Sequence, residues 1–244
     1  MTSESAPDDP RARNWLWWSV QLLMQNLFTF WLRYRVLGTG GLPEGGALLL
    51  INHQSSLDPL VTAVALKRPV SYLARHELFD RPGVGWIMRQ TFVMPIRRES
   101  AGTESIRLSV ERLNAGFYVG LFPEGTRSED GKLHELKPGF LAIVRRAQVP
   151  VIPVGIAGAR NAYPRGAVFV RPRTVRVVIG EPIPEEVTKE LSQKGREQEF
   201  LNLIRERMLQ CIVTAENWRQ GIPPDQSKRP RPPRQTPLKI HKQA

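Results

Sequence analysis

A histidine followed five positions later by an aspartate, His53 and Asp58 in Asn52-His-Gln-Ser-Ser-Leu-Asp, has the residue types that general-base chemistry needs. Across a short loop the carboxylate can hold one ring nitrogen, which fixes the tautomer and leaves the other nitrogen to take a proton from a hydroxyl. This is the His–Asp half of a triad without a built-in nucleophile. Ser55 and Ser56 lie beside it, but no Gly-x-Ser-x-Gly turn surrounds them. A serine acyl-enzyme is therefore the poorer reading. Taken alone, the pair also fits an N-cap aspartate beside a solvated histidine.

A second cluster, Phe122-Pro-Glu-Gly-Thr-Arg-Ser, begins where another apolar run ends. Gly125 permits a tight turn that exposes backbone N–H groups, Thr126 and Ser128 add hydroxyls, and Arg127 supplies a planar fork matched to phosphate oxygens. An anion cradle follows from these types, although a capped surface turn would use the same ones. Glu124, a carboxylate at the end of a buried strand, is expected to meet a partner such as a nearby basic side chain. His76, His134 and His241 have no companions at metal-ligand spacing, so no metal site is expected.

Both clusters must be positioned by the elements that precede them. The apolar runs at 47–51 and 118–122 read as buried strands, and strand ends are where α/β sheets hold their sites. Further strands are expected at 70–74, 91–96, 151–156, 168–170 and 175–179. Helical spacing marks 59–67, with Asp58 as N-cap, and then 84–89, 103–113, 140–146 and 196–216. Strands alternating with helices define an α/β domain with a mixed, mainly parallel sheet of about seven strands flanked by helices.

Outside this domain the chain changes character. Residues 15–32 contain no Asp, Glu, Lys or Arg. Ser19, Gln21, Gln25, Asn26 and Thr29 fall on one half of a helix, and Leu16, Val20, Leu23, Met24, Leu27, Phe28 and Trp31 on the other. The spacing favours an amphipathic helix lying in a membrane interface, with tryptophans at headgroup depth, over a core helix packed on the domain or a true span, and the segment does not read as a cleavable signal. From 221 onward, six prolines and six Lys or Arg residues against one acid mark a disordered basic tail. The expected organisation is thus 1–35 interfacial helix, 36–220 catalytic domain and 221–244 tail. A formal net charge of +12 calls for anionic partners. No Walker-type loop or nucleic-acid module is present, so nucleic acid is not an expected partner. The single cysteine, Cys211, excludes an intrachain disulfide and fits a reducing compartment.

The His53/Asp58 segment and the Phe-Pro-Glu-Gly-Thr-Arg-Ser segment together resemble two motifs of the glycerolipid acyltransferases, the 1-acyl-glycerol-3-phosphate acyltransferases being the nearest branch. Met94-Pro-Ile-Arg-Arg-Glu99 is similar to the arginine-containing motif between them. Val149-Pro-Val-Ile-Pro-Val-Gly-Ile156 is similar to the hydrophobic proline motif that follows. The resemblance covers residues 36–183. It implies a mixed sheet flanked by helices, with His53 as general base and Asp58 as its orienting partner. Arg98, Glu124, Gly125 and Arg127 would hold the acceptor's glycerol phosphate, and Pro153 would shape the acyl region. The implied reaction moves an acyl chain from acyl-CoA or acyl-acyl carrier protein to the sn-2 hydroxyl of lysophosphatidic acid, giving phosphatidic acid. It needs no cofactor beyond that co-substrate. An anionic membrane surface, on its cytoplasmic face, would be the setting. Two departures bear on the acceptor: Arg97 replaces a more usual acidic residue, and Phe92 stands where glycine often occurs. They keep open another lysophospholipid or a lyso-aminolipid as acceptor, with a non-enzymatic phosphate or nucleic-acid binding protein as the remote alternative.

Overall fold

A computed structural model describes residues 15–96 and 101–224. Its centre is a seven-stranded sheet made of β1 (Arg35–Leu37), β2 (Ala47–Ile51), β3 (Val70–Arg75), β4 (Met94–Ile96), β5 (Tyr118–Leu121), β6 (Val151–Ala157) and β7 (Arg176–Ile179). The spatial order is β1-β7-β6-β2-β5-β3-β4. Neighbours run parallel except β6 and β7, which are antiparallel. The mixed, mainly parallel sheet expected from the sequence is therefore present. β2 and β6 are buried along their whole length, as continuous apolar runs require when helices cover both faces.

Successive side chains in β2 and β6 point to opposite faces, and this parity divides the core. Leu49, Ile51, Ile152, Val154 and Ile156 pack with α1 (Trp15–Trp31) and α2 (Asp58–Ala65). Leu48, Leu50 and Val151 pack with α4 (Ala101–Asn114), α5 (Leu141–Ala147) and α8 (Glu197–Arg219). The remaining helices are α3 (Val84–Gln90), α6 (Ala159–Ala162) and α7 (Glu185–Leu191).

Two strand expectations are corrected. Residues 168–170 form no strand: Val168 and Phe169 stand about fully out in solvent, at 80% and 81% exposure, on a loop interrupted by Gly166 and Pro172. The seventh strand is instead Arg35–Leu37, whose three residues are too few to give an alternation but pair parallel with β7. The strand expected at 91–96 starts only at Met94, because Thr91 and Phe92 close α3. Phe92 has φ 65, a left-handed conformation that costs a non-glycine residue roughly 1–2 kcal/mol. This explains why glycine suits the position. Its ring is buried against Phe117 and Trp17, which offsets the strain.

α1 is a correction of a different kind. Its apolar half is split: Met24 and Phe28 turn to the protein while Leu23 and Leu27 remain exposed; of the residues in neither half, Trp17 is buried and Phe30 exposed. Gln21, assigned to the polar half, caps the end of α2 by donating to the Val64 and Leu66 carbonyls at 3.1 and 3.0 Å. Of the outward polar residues, Ser19, Asn26 and Thr29 donate to carbonyls four residues back. With 17 residues, α1 is about 26 Å long. No helix among the described residues is long and apolar enough to cross a membrane. The tail expected to be disordered lies outside the described residues from 225 onward.

α8 lies so close over β6 that a Cβ on Gly155 would come within 2.4 Å of the Cys211 carbonyl carbon and the Ile212 nitrogen. Both are backbone atoms and cannot rotate away. Gly155→Ala is therefore expected to lower unfolding free energy by about 1–3 kcal/mol, read from urea denaturation. An unchanged midpoint would mean that α8 is free to shift.

Candidate active site

β2 and β5 are parallel neighbours with Ala47 opposite Tyr118 and Leu50 opposite Leu121. Extending that register by three residues sets His53 level with Glu124, so the two sequence clusters leave the sheet side by side. The backbone joins them. His53 N–H donates to Glu124 Oε1 at 2.8 Å, and Ser128 N–H donates to the His53 carbonyl at 2.7 Å. Asn52 secures the other side: its amide donates to the Ile156 carbonyl and accepts from the Ile156 N–H. Gln54 Nε2 donates to the same carbonyl at 2.5 Å.

Within this frame His53 Nδ1 lies 2.8 Å from Asp58 Oδ2. The same oxygen accepts the Gln54 and Ser55 N–H groups at 2.6 and 2.7 Å. Asp58 is thus not an N-cap. It begins α2, and its carboxylate turns back to fold the preceding loop around itself. Its other oxygen, Oδ1, is buried without a partner. Burial pushes the Asp58 carboxyl above the ordinary carboxylate range, while the hydrogen bonds from His53, Ser55 and Gln54 oppose that push. The His53 ring stacks on Phe122, centroids 4.1 Å apart. With Nδ1 held by Asp58, Nε2 is the nitrogen left to meet a substrate proton. Ser55 has a structural task, donating to the Tyr163 carbonyl and accepting from Leu57 N–H.

The partner of Glu124 is not a basic side chain. Its carboxylate is buried, and its oxygens accept two backbone N–H groups, from His53 and, at 2.9 Å, from His134. Gly125 adopts φ 71, and Lys137 crosses directly over it: a Cβ there would meet the Lys137 Nζ at 2.9 Å. Arg127 reaches back to His53's own loop and donates to Ser56 Oγ at 2.8 Å.

That Ser56–Arg127 contact has a cavity on either side. One, about 260 Å³, is lined by Arg127, Arg160 and Arg165 with Gln54, Ser128 and Glu129. The other, about 380 Å³, is apolar, running between α1, α2, β3 and α3 and bounded by Ser56 and Phe122. His53 lines neither cavity but adjoins both: Gln54, next to it in the chain, lines the first, and Phe122, on which its ring stacks, lines the second.

Of the residues singled out from sequence, His53, Asp58, Glu124, Gly125 and Arg127 come together here. Arg98 lies outside the described residues. Pro153 is not brought to the apolar cavity: parity turns it to the α8 face, against Gly180 and Cys211. The sequence reading missed Lys137, Arg160 and Arg165. Arg160 and Arg165 follow the proline motif closely, but no spacing signal marks them. Two larger cavities of about 550 Å³ each, one beside Gly180 and Cys211 and one between α5 and α7, are lined by none of Gln54, Ser56, Phe122 and Arg127.

Residues 33–157 match the family model described as Acyltransferase. A chloroplastic 1-acyl-sn-glycerol-3-phosphate acyltransferase of Brassica napus is 32% identical over 158 residues, covering 63% of this chain and 46% of that protein. The Bacillus subtilis 1-acyl-sn-glycerol-3-phosphate acyltransferase is 27% identical over 175 residues, covering 71% of this chain and 83% of that one. The chain spans about half the length of the plant relatives it matches. The crystal structure of the 1-acyl-sn-glycerophosphate (LPA) acyltransferase PlsC from Thermotoga maritima superposes with a TM-score of 0.63 at 25% identity, covering 78% of this chain and 79% of that one.

The opposed influences on Asp58 make a signed prediction. A carboxyl whose folded pKa is raised stabilises the fold below its unfolded value, and that contribution is lost as pH rises through the folded value. Asp58→Asn keeps one oxygen for the two amides and removes the ionisation. The variant should therefore match or exceed wild-type unfolding free energy at neutral pH, with the gap closing in acid. A variant less stable at neutral pH would mean that the hydrogen bonds to the charged form outweigh burial. Glu124→Gln should behave oppositely and lose about 1–3 kcal/mol, because one amide N–H would face another N–H donor.

Proposed function

The chain belongs to the acyltransferase family, and from that premise we propose that it transfers a fatty acyl chain from a thioester donor to the free sn-2 hydroxyl of lysophosphatidic acid, giving phosphatidic acid. The observation that carries this reading is the position of His53 between Gln54, which lines an arginine-rich cavity, and Phe122, which lines an apolar one. Such a position suits a substrate with a phosphate at one end, a hydroxyl in the middle and a hydrocarbon chain.

The chemistry needs no covalent enzyme intermediate. His53 Nε2 takes the hydroxyl proton as the oxygen attacks the thioester carbonyl carbon, and the Asp58 carboxylate stabilises the imidazolium that forms. The carbon–sulfur bond then breaks, the new ester bond is complete, and the departing thiolate takes the proton from the imidazolium. Arg127, joined by Arg160, Arg165 and Arg98, holds the acceptor phosphate. The rate gain then comes largely from orientation of hydroxyl against carbonyl. Glu124 and Gly125 act on the acceptor through the loop that carries Arg127. The apolar cavity takes an acyl chain, each buried methylene contributing about 0.8 kcal/mol. Coenzyme A or acyl carrier protein would deliver that chain from the cytoplasm. The exposed Leu23, Leu27 and Phe30 of α1 would rest in the cytoplasmic face of the membrane, from which the acceptor enters.

The arginine cavity also weighs between acceptors. A lyso-aminolipid lacking the phosphate would leave Arg127 and Arg160 without an anionic partner among the described residues, Arg165 being already paired with Glu129 at 3.2 Å. A phosphate dianion would gain charge-assisted hydrogen bonds from each.

His53→Ala should lower kcat with lysophosphatidic acid and acyl-CoA by about 100- to 10,000-fold with its fold intact. Retention of a tenth of the rate by a folded variant would remove His53 as base. Arg127→Ala and Arg160→Ala should each raise the acceptor KM roughly tenfold to hundredfold, leave the donor KM nearly unchanged, and barely affect monoacylglycerol, itself a poor substrate. Equal losses on acceptors with and without phosphate would assign the arginines to folding or to the donor.

A further inference from the structure

Beyond Arg165, the loop between α6 and β7 has no role in the chemistry above, yet its shape is specific. Its base is closed by Arg171 N–H donating to the Ala162 carbonyl at 2.8 Å, and its turn by Ala167 N–H donating to the Pro164 carbonyl at 3.1 Å. These bonds hold Val168 and Phe169 at the tip, 80% and 81% exposed. An exposed valine–phenylalanine pair on a loop pinned at both ends is an unfavourable arrangement in water. Arg171 and Arg173 stand exposed just beyond it and form no ion pair with a described residue. The loop is also fastened to α1, because Trp31 Nε1 donates to the Val170 carbonyl at 2.9 Å. Its tip therefore adjoins the exposed side of α1 that ends in Phe30, 82% exposed.

We propose that this loop is a second membrane-contact element, inserting Val168 and Phe169 into the apolar layer of an anionic bilayer while Arg171 and Arg173 engage lipid phosphates. Charge complementarity selects this occupant: apolar tip and flanking cations match a surface that is anionic outside and hydrocarbon beneath. A protein partner would have to supply the same layering. The placement also has a consequence for the site. Arg165 lines the cationic cavity beside Arg127 and lies four residues before Phe169, hence at most about 14 Å from it along the chain. Insertion of the tip would therefore set the cavity at headgroup depth, where an acceptor's phosphate already lies. The proposal rests on the membrane setting given under Proposed function, not on the transfer chemistry.

The test uses the full chain with an environment-sensitive nitrobenzoxadiazole probe at Val168→Cys, and separately at Phe30→Cys on α1. Cys211 is buried and its thiol is pushed up to about 12 by that burial, so the unsubstituted chain serves as the labelling blank. On phosphatidylglycerol-containing vesicles the loop probe should brighten, shift to the blue and be quenched by lipids bearing a nitroxide on the acyl chain. On pure phosphatidylcholine it should respond weakly. Phe169→Glu should weaken vesicle binding roughly tenfold or more with its thermal midpoint unchanged. A silent loop probe beside a responding α1 probe would overturn the loop's role and leave the membrane setting standing. Silence from both would overturn the two together. A response that grows with protein concentration without vesicles would assign the tip to a second copy of the chain and overturn the proposal.

Discussion

Glu124 is a buried carboxylate whose two oxygens accept backbone N–H groups, one from His53 at the end of β2 and one from His134 ten residues further along its own loop. A buried charge of this kind is tolerated only when its hydrogen bonds are complete. Each backbone amide bonded to a carboxylate contributes about 1.5–3 kcal/mol. The carboxylate therefore holds the histidine-bearing loop to the arginine-bearing one, and the remaining geometry hangs from that clamp. Ser128 N–H returns the tie to the His53 carbonyl. The histidine backbone is thus gripped on both sides before its side chain meets Asp58.

From the clamp the site extends in two directions. Towards the α6 side lies the cavity of Arg127, Arg160 and Arg165, and towards α2 and α3 lies the apolar cavity. The imidazole is fixed between them by Asp58 at Nδ1 and by the face of Phe122. Every one of these restraints comes from a strand end or from the first turn of a helix. Orienting the imidazole therefore costs little once the sheet is formed. This is the physical sense in which an α/β sheet suits the reaction: parallel β2 and β5 bring two short loops into register without any long-range side-chain arrangement.

Much of this was legible in the sequence because it is local. His53 and Asp58 lie within one loop, the strands that carry the two motifs are continuous apolar runs, and the 71-residue separation of His53 from Glu124 equals the register offset of β2 and β5. The role of Glu124 was not legible, since its partners are backbone amides that no residue type announces. Arg160, Arg165 and Lys137 converge only through the fold and leave no spacing signal. Pro153 is a different case: alternation along β6 puts it opposite Ile152 and Val154, so its face could have been read from parity alone. Residues 168–170 had the composition of a strand, but Gly166 and Pro172 on either side leave them on a loop, while the true edge strand at Arg35–Leu37 is too short to show any pattern.

The central claim is that the clamped strand end presents a neutral imidazole whose Nδ1 proton is held by Asp58 and whose Nε2 is free to act as a base. Nitrogen-15 NMR of histidine-labelled protein measures this directly, with the His53 signals assigned by their loss in His53→Ala. At the pH of maximal turnover the account predicts a neutral ring protonated at Nδ1, and loss of that tautomer preference in Asp58→Ala. A ring protonated at Nε2, or an imidazolium at that pH, would contradict it.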